Sequence, residues 1–262
     1  MANKNVLITG GTRNTGFVIA KAFAEKGYCL HITGRKLDDA KAAADKIMAE
    51  YPDVTVYPYS LEMSDVKDIN RVFSEIKANE GKLDVFVANA AHLGVDLDIY
   101  NTTEEDFDAV MNVNVKGNFF CCQNAAKLMK DGGGRIVFLS SVQSKGVVEG
   151  RTVYSTSKAA VNMLAKNLAF DLAPYNIQVN TLIVGAIHSD RWDVLDDETM
   201  AKRRSAYPSG RESYAEEVAN TVLYFANDCP HTVTGSELTI DSGVLLSILP
   251  YRDRKYFKRE EF

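Results

Sequence analysis

The sequence predicts an α/β fold, a doubly wound parallel sheet of about seven strands with helices on both faces. Three observations predict it. Short β-rich runs alternate with amphipathic helical stretches throughout the chain. The first of those runs passes through a glycine-rich loop straight into a helix. No linker, low-complexity tract or internal repeat breaks the order. Strand–helix alternation of this kind requires right-handed crossovers, which lay helices on both sides of a parallel sheet. The 262 residues suffice for a substantial core and read as a single domain, 1–262.

Residues 5–9, Asn-Val-Leu-Ile-Thr, form the first buried-strand candidate, followed by a helix over about 16–26. Residues 29–33 give the second strand and about 38–50 the next helix. Residues 54–59 alternate as a strand, and 66–79 read as a helix. Further strands are expected at 83–88, 135–139 and 177–183, separated by helices over about 104–129 and 153–173. A last helix at 216–226 and a last strand at 237–240 complete the pattern. Two stretches break the rhythm. Residues 186–211 have no strand, are dense in charge and hold Trp192 and Tyr207, as a lid over a site would. The tail, 249–262, is basic and aromatic and reads as a solvated or subunit-packing segment.

Composition narrows the function. Hydrophobic residues at 46% and charged residues at 25% suit a soluble globular protein. A net charge of −5 supplies no basic field for nucleic acid, and no run of about 18 apolar residues offers a membrane span. The opening Met-Ala-Asn-Lys-Asn leads directly into a strand-like run, so no signal peptide is expected. Cys29, Cys121, Cys122 and Cys229 have no metal-ligand spacing and suit reduced core thiols, which makes the cytoplasm the expected compartment.

The chemistry-bearing pattern is Tyr154-Ser-Thr-Ser-Lys158, with Ser141 thirteen residues upstream. Positions i and i+4 share a helix face, so an ammonium stands beside a phenol. A neighbouring cation favours the phenolate, which would lower the phenol from about 10 toward neutrality. A serine hydroxyl delivered to the same place can hydrogen-bond a carbonyl oxygen. That combination suits carbonyl reduction or alcohol oxidation.

At the other end, Thr9-Gly10-Gly11-Thr12-Arg13-Asn14-Thr15-Gly16 joins the first strand to its helix. Glycines in that setting let the backbone approach a pyrophosphate at the helix N-terminus. Asn14 stands where a glycine is expected, and asparagine tolerates a left-handed backbone better than other side chains. After the second strand come Gly34 and Arg35 rather than a carboxylate that would grip ribose hydroxyls. Arg35 and Arg13 together suit a 2′-phosphate, favouring NADP(H) over NAD(H).

These motifs, with Asn89-Ala90-Ala91, Asn114-Val-Lys-Gly117, Asn180 with Gly185, and Asp241-Ser-Gly243, resemble the short-chain dehydrogenase/reductase family over essentially the full length. The resemblance implies a Rossmann-like fold and a set of roles. Tyr154 would be the general acid in reduction and base in oxidation. Lys158 would depress its pKa and hold the nicotinamide ribose, and Ser141 would polarise the substrate oxygen. Asn114 would anchor a water in a proton relay to Lys158. Gly10, Thr12, Arg13, Asn14, Gly16 and Arg35 would hold the phosphates. Glu62 and Met63 would meet the adenine, and Asn89 and Ala90 would line the cofactor. Gly185, Ile187 and Ser189 would border the nicotinamide. The resemblance also implies a homotetramer, or a dimer, built on the helices that carry Asn114 and Tyr154. Asn14, Glu62, Ala88, Ala91, Val184 and Ser242 depart from the family pattern, while all four catalytic positions are filled.

The four histidines are scattered. His31 reads as structural, whereas His92 and His188 fall where the family borders its substrate. No metal site is expected. Phe-Leu-Ser-Ser-Val lacks the elbow of a serine hydrolase. The short tail and Arg13 argue against the extended epimerase branch. Three residues between Tyr154 and Lys158, rather than six, favour carbon–oxygen over carbon–carbon reduction. A dinucleotide-binding regulator without chemistry is the alternative, and the complete catalytic set argues against it. Gln143, Arg151, Arg191 and Trp192 fall near the expected mouth. A polar or anionic substrate, such as a sugar derivative or a 3-oxoacyl group, fits that, and a steroid packing on Trp192 and the valine pair is the other class.

Overall fold

The computed structural model describes residues 4–94 and 97–246. Seven parallel strands form one sheet in the order β3-β2-β1-β4-β5-β6-β7. They are β1 (Asn5–Ile8), β2 (Cys29–Gly34), β3 (Val56–Ser60), β4 (Val85–Ala88), β5 (Gly134–Ser141), β6 (Ile177–Val184) and β7 (Glu237–Ile240). Connecting them are α1 (Asn14–Glu25), α2 (Leu37–Glu50), α3 (Val66–Glu80), α4 (Glu104–Met111), α5 (Asn118–Met129) and α6 (Thr152–Leu172). The β6–β7 connection carries α7 (Asp190–Asp193), α8 (Asp197–Arg204) and α9 (Ala215–Leu223).

The period-two alternation of the strands divides their side chains between two cores. Val6 and Ile8 of β1 pack with Ile19 and Phe23 of α1, Ile47 of α2 and Val222 of α9 on one face. Leu7 and Phe86 pack with Ile76 of α3, Cys122 of α5 and Val161 of α6 on the other. Both faces of the central strands are covered, so those strands are continuously apolar rather than alternating. The four cysteines are free thiols and buried. His31 is fully buried in β2, 3.0 Å from the Tyr59 hydroxyl, and burial pushes its imidazole down to about 4.

Strand order reverses between β1 and β4, which pair from Val6↔Val85 to Ile8↔Val87. From β1 the chain winds outward through β2 and β3, then crosses back to β4 and winds the other way. The loops after β1 and β4 therefore leave in opposite directions and open a crevice at the carboxyl ends of the strands.

Two of the expected helical stretches are found and each carries a π turn. The stretch 104–129 is not one regular helix: a π turn, Asn112–Gly117, separates α4 from α5. At Gly117 a Cβ would lie 2.3 Å from the Met63 carbonyl oxygen, so that turn packs against the end of the β3 connection. Hydrophobic periodicity does not register one extra residue in a turn. The helix expected to run to residue 226 likewise ends at Leu223 and continues as a π turn, Tyr224–Asp228.

Candidate active site

One cleft of about 1180 Å³ runs along the crevice. Gly10, Thr12, Arg13, Asn14 and Gly16 line one end, with Arg35 beside them. Glu62, Met63, Asn89 and Ala90 follow, and Tyr154, Lys158 and Ile187 lie at the other end. Residues from opposite ends of the chain thus share one cavity.

The glycine loop is built for close approach. Gly10 has φ +67° and Asn14 φ +48°, so the asparagine occupies the left-handed region that its short polar side chain tolerates. A Cβ at Gly16 would lie 2.1 Å from the Gly10 carbonyl oxygen. The loop is tied to β4: Asn89 Nδ2 donates to the carbonyls of Thr9 and Gly10 at 2.9 and 3.2 Å. The Thr9 hydroxyl accepts from the backbone N–H of Asn89 and Ala90, 3.2 Å each. Helix α1 has no side-chain cap at Arg13 and no acidic residue in its first turn. Its free N–H groups and positive dipole end therefore face the cleft uncompensated, which suits a phosphate. Gly34 closes β2 where a Cβ would stand 2.7 Å from Thr12 Cγ2, so the packing of Thr12 excludes a carboxylate there. Arg13 and Arg35 have no carboxylate partner among the described residues. These features fit a dinucleotide with a further phosphate at its adenosine end.

At the opposite end, α6 carries Tyr154 and Lys158 on one buried face, the Lys158 Nζ 5.8 Å from the centre of the tyrosine ring. Lys158 Nζ donates to the Leu139 carbonyl of β5 at 2.9 Å. Ser141 ends β5, nearly buried, and its Oγ accepts from the Gln143 N–H at 3.2 Å.

Burial enters the electrostatics of this pair beside the charges the sequence supplies. Burial raises the Tyr154 phenol above its ordinary value, opposed by a hydrogen bond from Ser141 and by the Arg151 charge. Burial also pushes the Lys158 ammonium down to about 8. Sequence spacing places a cation beside a phenol but carries no desolvation. In the folded protein, loss of water outweighs the Ser141 hydrogen bond and the Arg151 charge at Tyr154, and at Lys158 it acts alone.

Asn114 is fully buried and hydrogen-bonded. Its Oδ1 accepts from the His92 N–H at 2.7 Å, and its Nδ2 donates to the His92 carbonyl and the Ser157 hydroxyl, 2.9 Å each. Its own carbonyl accepts from Asn118 Nδ2 at 2.8 Å. Here Asn114 clamps the loop after β4 to α6, and each of its carbonyl oxygens accepts one hydrogen bond and keeps a second lone pair. Ser157, which donates to the Tyr154 carbonyl at 2.7 Å, was not anticipated. Its position three residues after Tyr154 was the available signal. No sequence signal marks the Leu139 carbonyl, because every residue has one.

Other residues fall elsewhere. Gly185 does not line the cleft: a Cβ there would lie 2.8 Å from Asp241 Cα, so it packs β6 against the end of β7. Ser189 caps α7 and is also outside the lining. His92 lines the cleft with its ring exposed, accepting from the Gly94 N–H. The 186–211 segment holds two short helices and is clasped at its base. Ile187 pairs with Ser213, and His188 lies 2.7 Å from both Glu212 and Asp193. Arg204 holds the same buried Glu212 through two N–H groups. Trp192 is buried against Arg203 and Tyr207 and is not part of the cleft wall, contrary to its expected place at the mouth. The Arg191 side chain and the 249–262 tail lie outside the described residues. Among those described, no helix is long and apolar enough to cross a membrane.

A family model described as enoyl-(acyl carrier protein) reductase matches residues 10–245. A 3α-hydroxysteroid dehydrogenase of Mediterraneibacter gnavus is 32% identical over 93% of this chain and 97% of its own length. The chain belongs to the short-chain dehydrogenase/reductase family. A 3-oxoacyl-[acyl-carrier-protein] reductase, FabG, of Aquifex aeolicus is 34% identical over 93% of the chain and 98% of its own. The solved structure of YwfH, an NADPH-dependent reductase involved in bacilysin biosynthesis, superposes with a TM-score of 0.87 at 27% identity. It covers 94% of this chain and 100% of that one. Like the relatives it resembles, this short-chain dehydrogenase/reductase is an oxidoreductase.

Proposed function

We propose that the chain is an NADP(H)-dependent oxidoreductase interconverting a ketone and a secondary alcohol, with Tyr154 as the proton donor and acceptor. The observation that carries this reading is the single cleft joining the uncapped α1 N-terminus to the Tyr154–Lys158 face. Gly10, Thr12, Asn14 and Gly16 would hold the pyrophosphate, Arg13 and Arg35 the 2′-phosphate, and Lys158 the nicotinamide ribose. A nicotinamide held there would supply the hydride for carbonyl reduction or take it up in alcohol oxidation. Tyr154 then gives its phenolic proton to the developing alkoxide, while the Ser141 hydroxyl hydrogen-bonds the same oxygen. The names of the relatives point to 3-oxoacyl and hydroxysteroid substrates; of the apolar surface expected for a steroid, Trp192 is buried while Val147 and Val148 are exposed.

The same reading takes 1–262 as one domain in the cytoplasm, assembled as a homotetramer. Phe119 of α5 and Met163 and Phe170 of α6 are exposed, Phe170 to 84%, which supports an interface on these helices. Fluorescence titration of the purified protein with NADPH and NADH tests the cofactor choice. Tight NADPH binding, weak NADH binding and a loss of that difference in Arg35→Ala are expected. Equal affinity for both would remove the 2′-phosphate assignment.

A further inference from the structure

Arg151 occupies the N-cap position of α6, three residues before Tyr154, with a non-helical backbone (φ −128°, ψ 18°). Its backbone bridges Leu97, and its Nη1 donates to the Leu93 carbonyl at 3.2 Å. Leu93 lines the cleft beside His92 and Tyr154. Arg151 is not itself part of the cleft wall; its guanidinium is tied to the rim by one backbone acceptor, the carbonyl of cleft-lining Leu93. Arginines 71, 204 and 211 each hold a carboxylate, whereas Arg151 has none among the described residues. A guanidinium has five N–H donors, so most of this fork remains available. Its charge also reaches the Tyr154 phenol, which it pulls down against burial.

On the carbonyl-reducing reading above, we propose that Arg151 selects the substrate by binding a carboxylate carried near its reacting carbonyl. The substrate class is then an oxo acid and its hydroxy acid rather than a neutral ketone. One planar fork matches one planar carboxylate through paired N–H···O bonds. Arg151 lies three residues from Tyr154, so it would orient the carbonyl while the far end of the substrate is free to vary.

The test compares 2-oxo, 3-oxo and 4-oxo acids with their ethyl esters, each with NADPH, in the wild type, Arg151→Gln and Arg151→Lys. The quantity read is the ratio of kcat/KM for acid to ester, in which any effect of Arg151 on Tyr154 cancels. A charge-assisted hydrogen bond made by the acid and denied to the ester corresponds to about tenfold to a hundredfold in that ratio. Wild type should favour the acid by that factor, mainly through KM; Gln should abolish the preference and Lys keep part of it. Equal use of acid and ester by the wild type, or a ratio unchanged in Gln, overturns the inference while Tyr154-dependent turnover leaves the carbonyl reading standing. No NADPH-dependent turnover of any acid or ester would overturn both.

Discussion

Gly16→Ala is the substitution for which local and tertiary physics disagree most. Gly16 is the third residue of α1, where alanine is ordinarily the better helix former by about 1 kcal/mol. The added Cβ would stand 2.1 Å from the Gly10 carbonyl oxygen and 2.6 Å from Asn89 Nδ2, against an ordinary contact starting at 3.4 Å. The loop and helix must separate by about 1.3 Å. That movement breaks the bonds from Asn89 to the Thr9 and Gly10 carbonyls, each contributing about 1 kcal/mol. Overpacking of this kind costs about 1–3 kcal/mol, so the helix gain is overridden and a net loss of about 2 kcal/mol is expected. For a chain of this size, Tm should fall by roughly 4–8 °C. A cradle displaced by about 1 Å should lose on the order of a hundredfold in NADPH affinity. Nicotinamide fluorescence titration and thermal unfolding measure both. Binding within threefold of wild type with an unchanged Tm would refute the reasoning, because it would mean that the contact at Gly16 relaxes at no cost.

Tyr154→Phe should hold turnover below about one per cent while leaving NADPH affinity within a few-fold, since only the proton donor is removed. Lys158→Met should abolish turnover yet stabilise the fold. Lowering the ammonium from 10.5 to about 8 means that burying the charged form costs about 3 kcal/mol, less about 1 for the bond to Leu139. The unfolded chain holds the extra proton between those two values, so wild-type stability rises with pH across that interval. The gain in Lys158→Met should therefore be largest below about pH 8 and shrink toward 10.5, as melting curves across that range would show. The lid clasp has the opposite sign. His188 faces a carboxylate at each ring nitrogen, and hydrogen bonds to Glu212 and Asp193 raise its pKa. Its contribution is complete below an ordinary histidine pKa of 6.5 and is lost as pH rises through the folded value. Trp192, the sole tryptophan, packs beside it and reports the loosening. Its emission should change as pH rises above the ordinary histidine value of 6.5 in the wild type, and His188→Gln should flatten that transition.

The architecture was legible because it rests on periodicity. Alternating runs such as 29–33 and 177–183 became β2 and β6, and a strand needs only its own pattern to be recognised. The glycine loop and the Tyr154–Lys158 pair were legible for the same reason: a turn and a helix face are local objects, readable from spacing alone. The break at Asn112–Gly117 was not, since it depends on the distant Met63 carbonyl that packs against Gly117.

What the sequence by itself determined, then, is the order of elements, the family and the residue types brought to the cleft. Tertiary structure decided their electrostatics and their partners. Tyr154 and Lys158 lose water on folding, and that loss raises the one pKa and lowers the other, an effect their spacing does not carry. Asn114 spends its hydrogen bonds on His92 and Ser157, 22 and 43 positions away. Trp192 turns into the lid, and Arg151 is tied to the cleft rim by a carbonyl 58 positions distant. Burial and long-range hydrogen bonding depend on which surfaces meet, and that is settled only when the strands have paired and the two cores have closed.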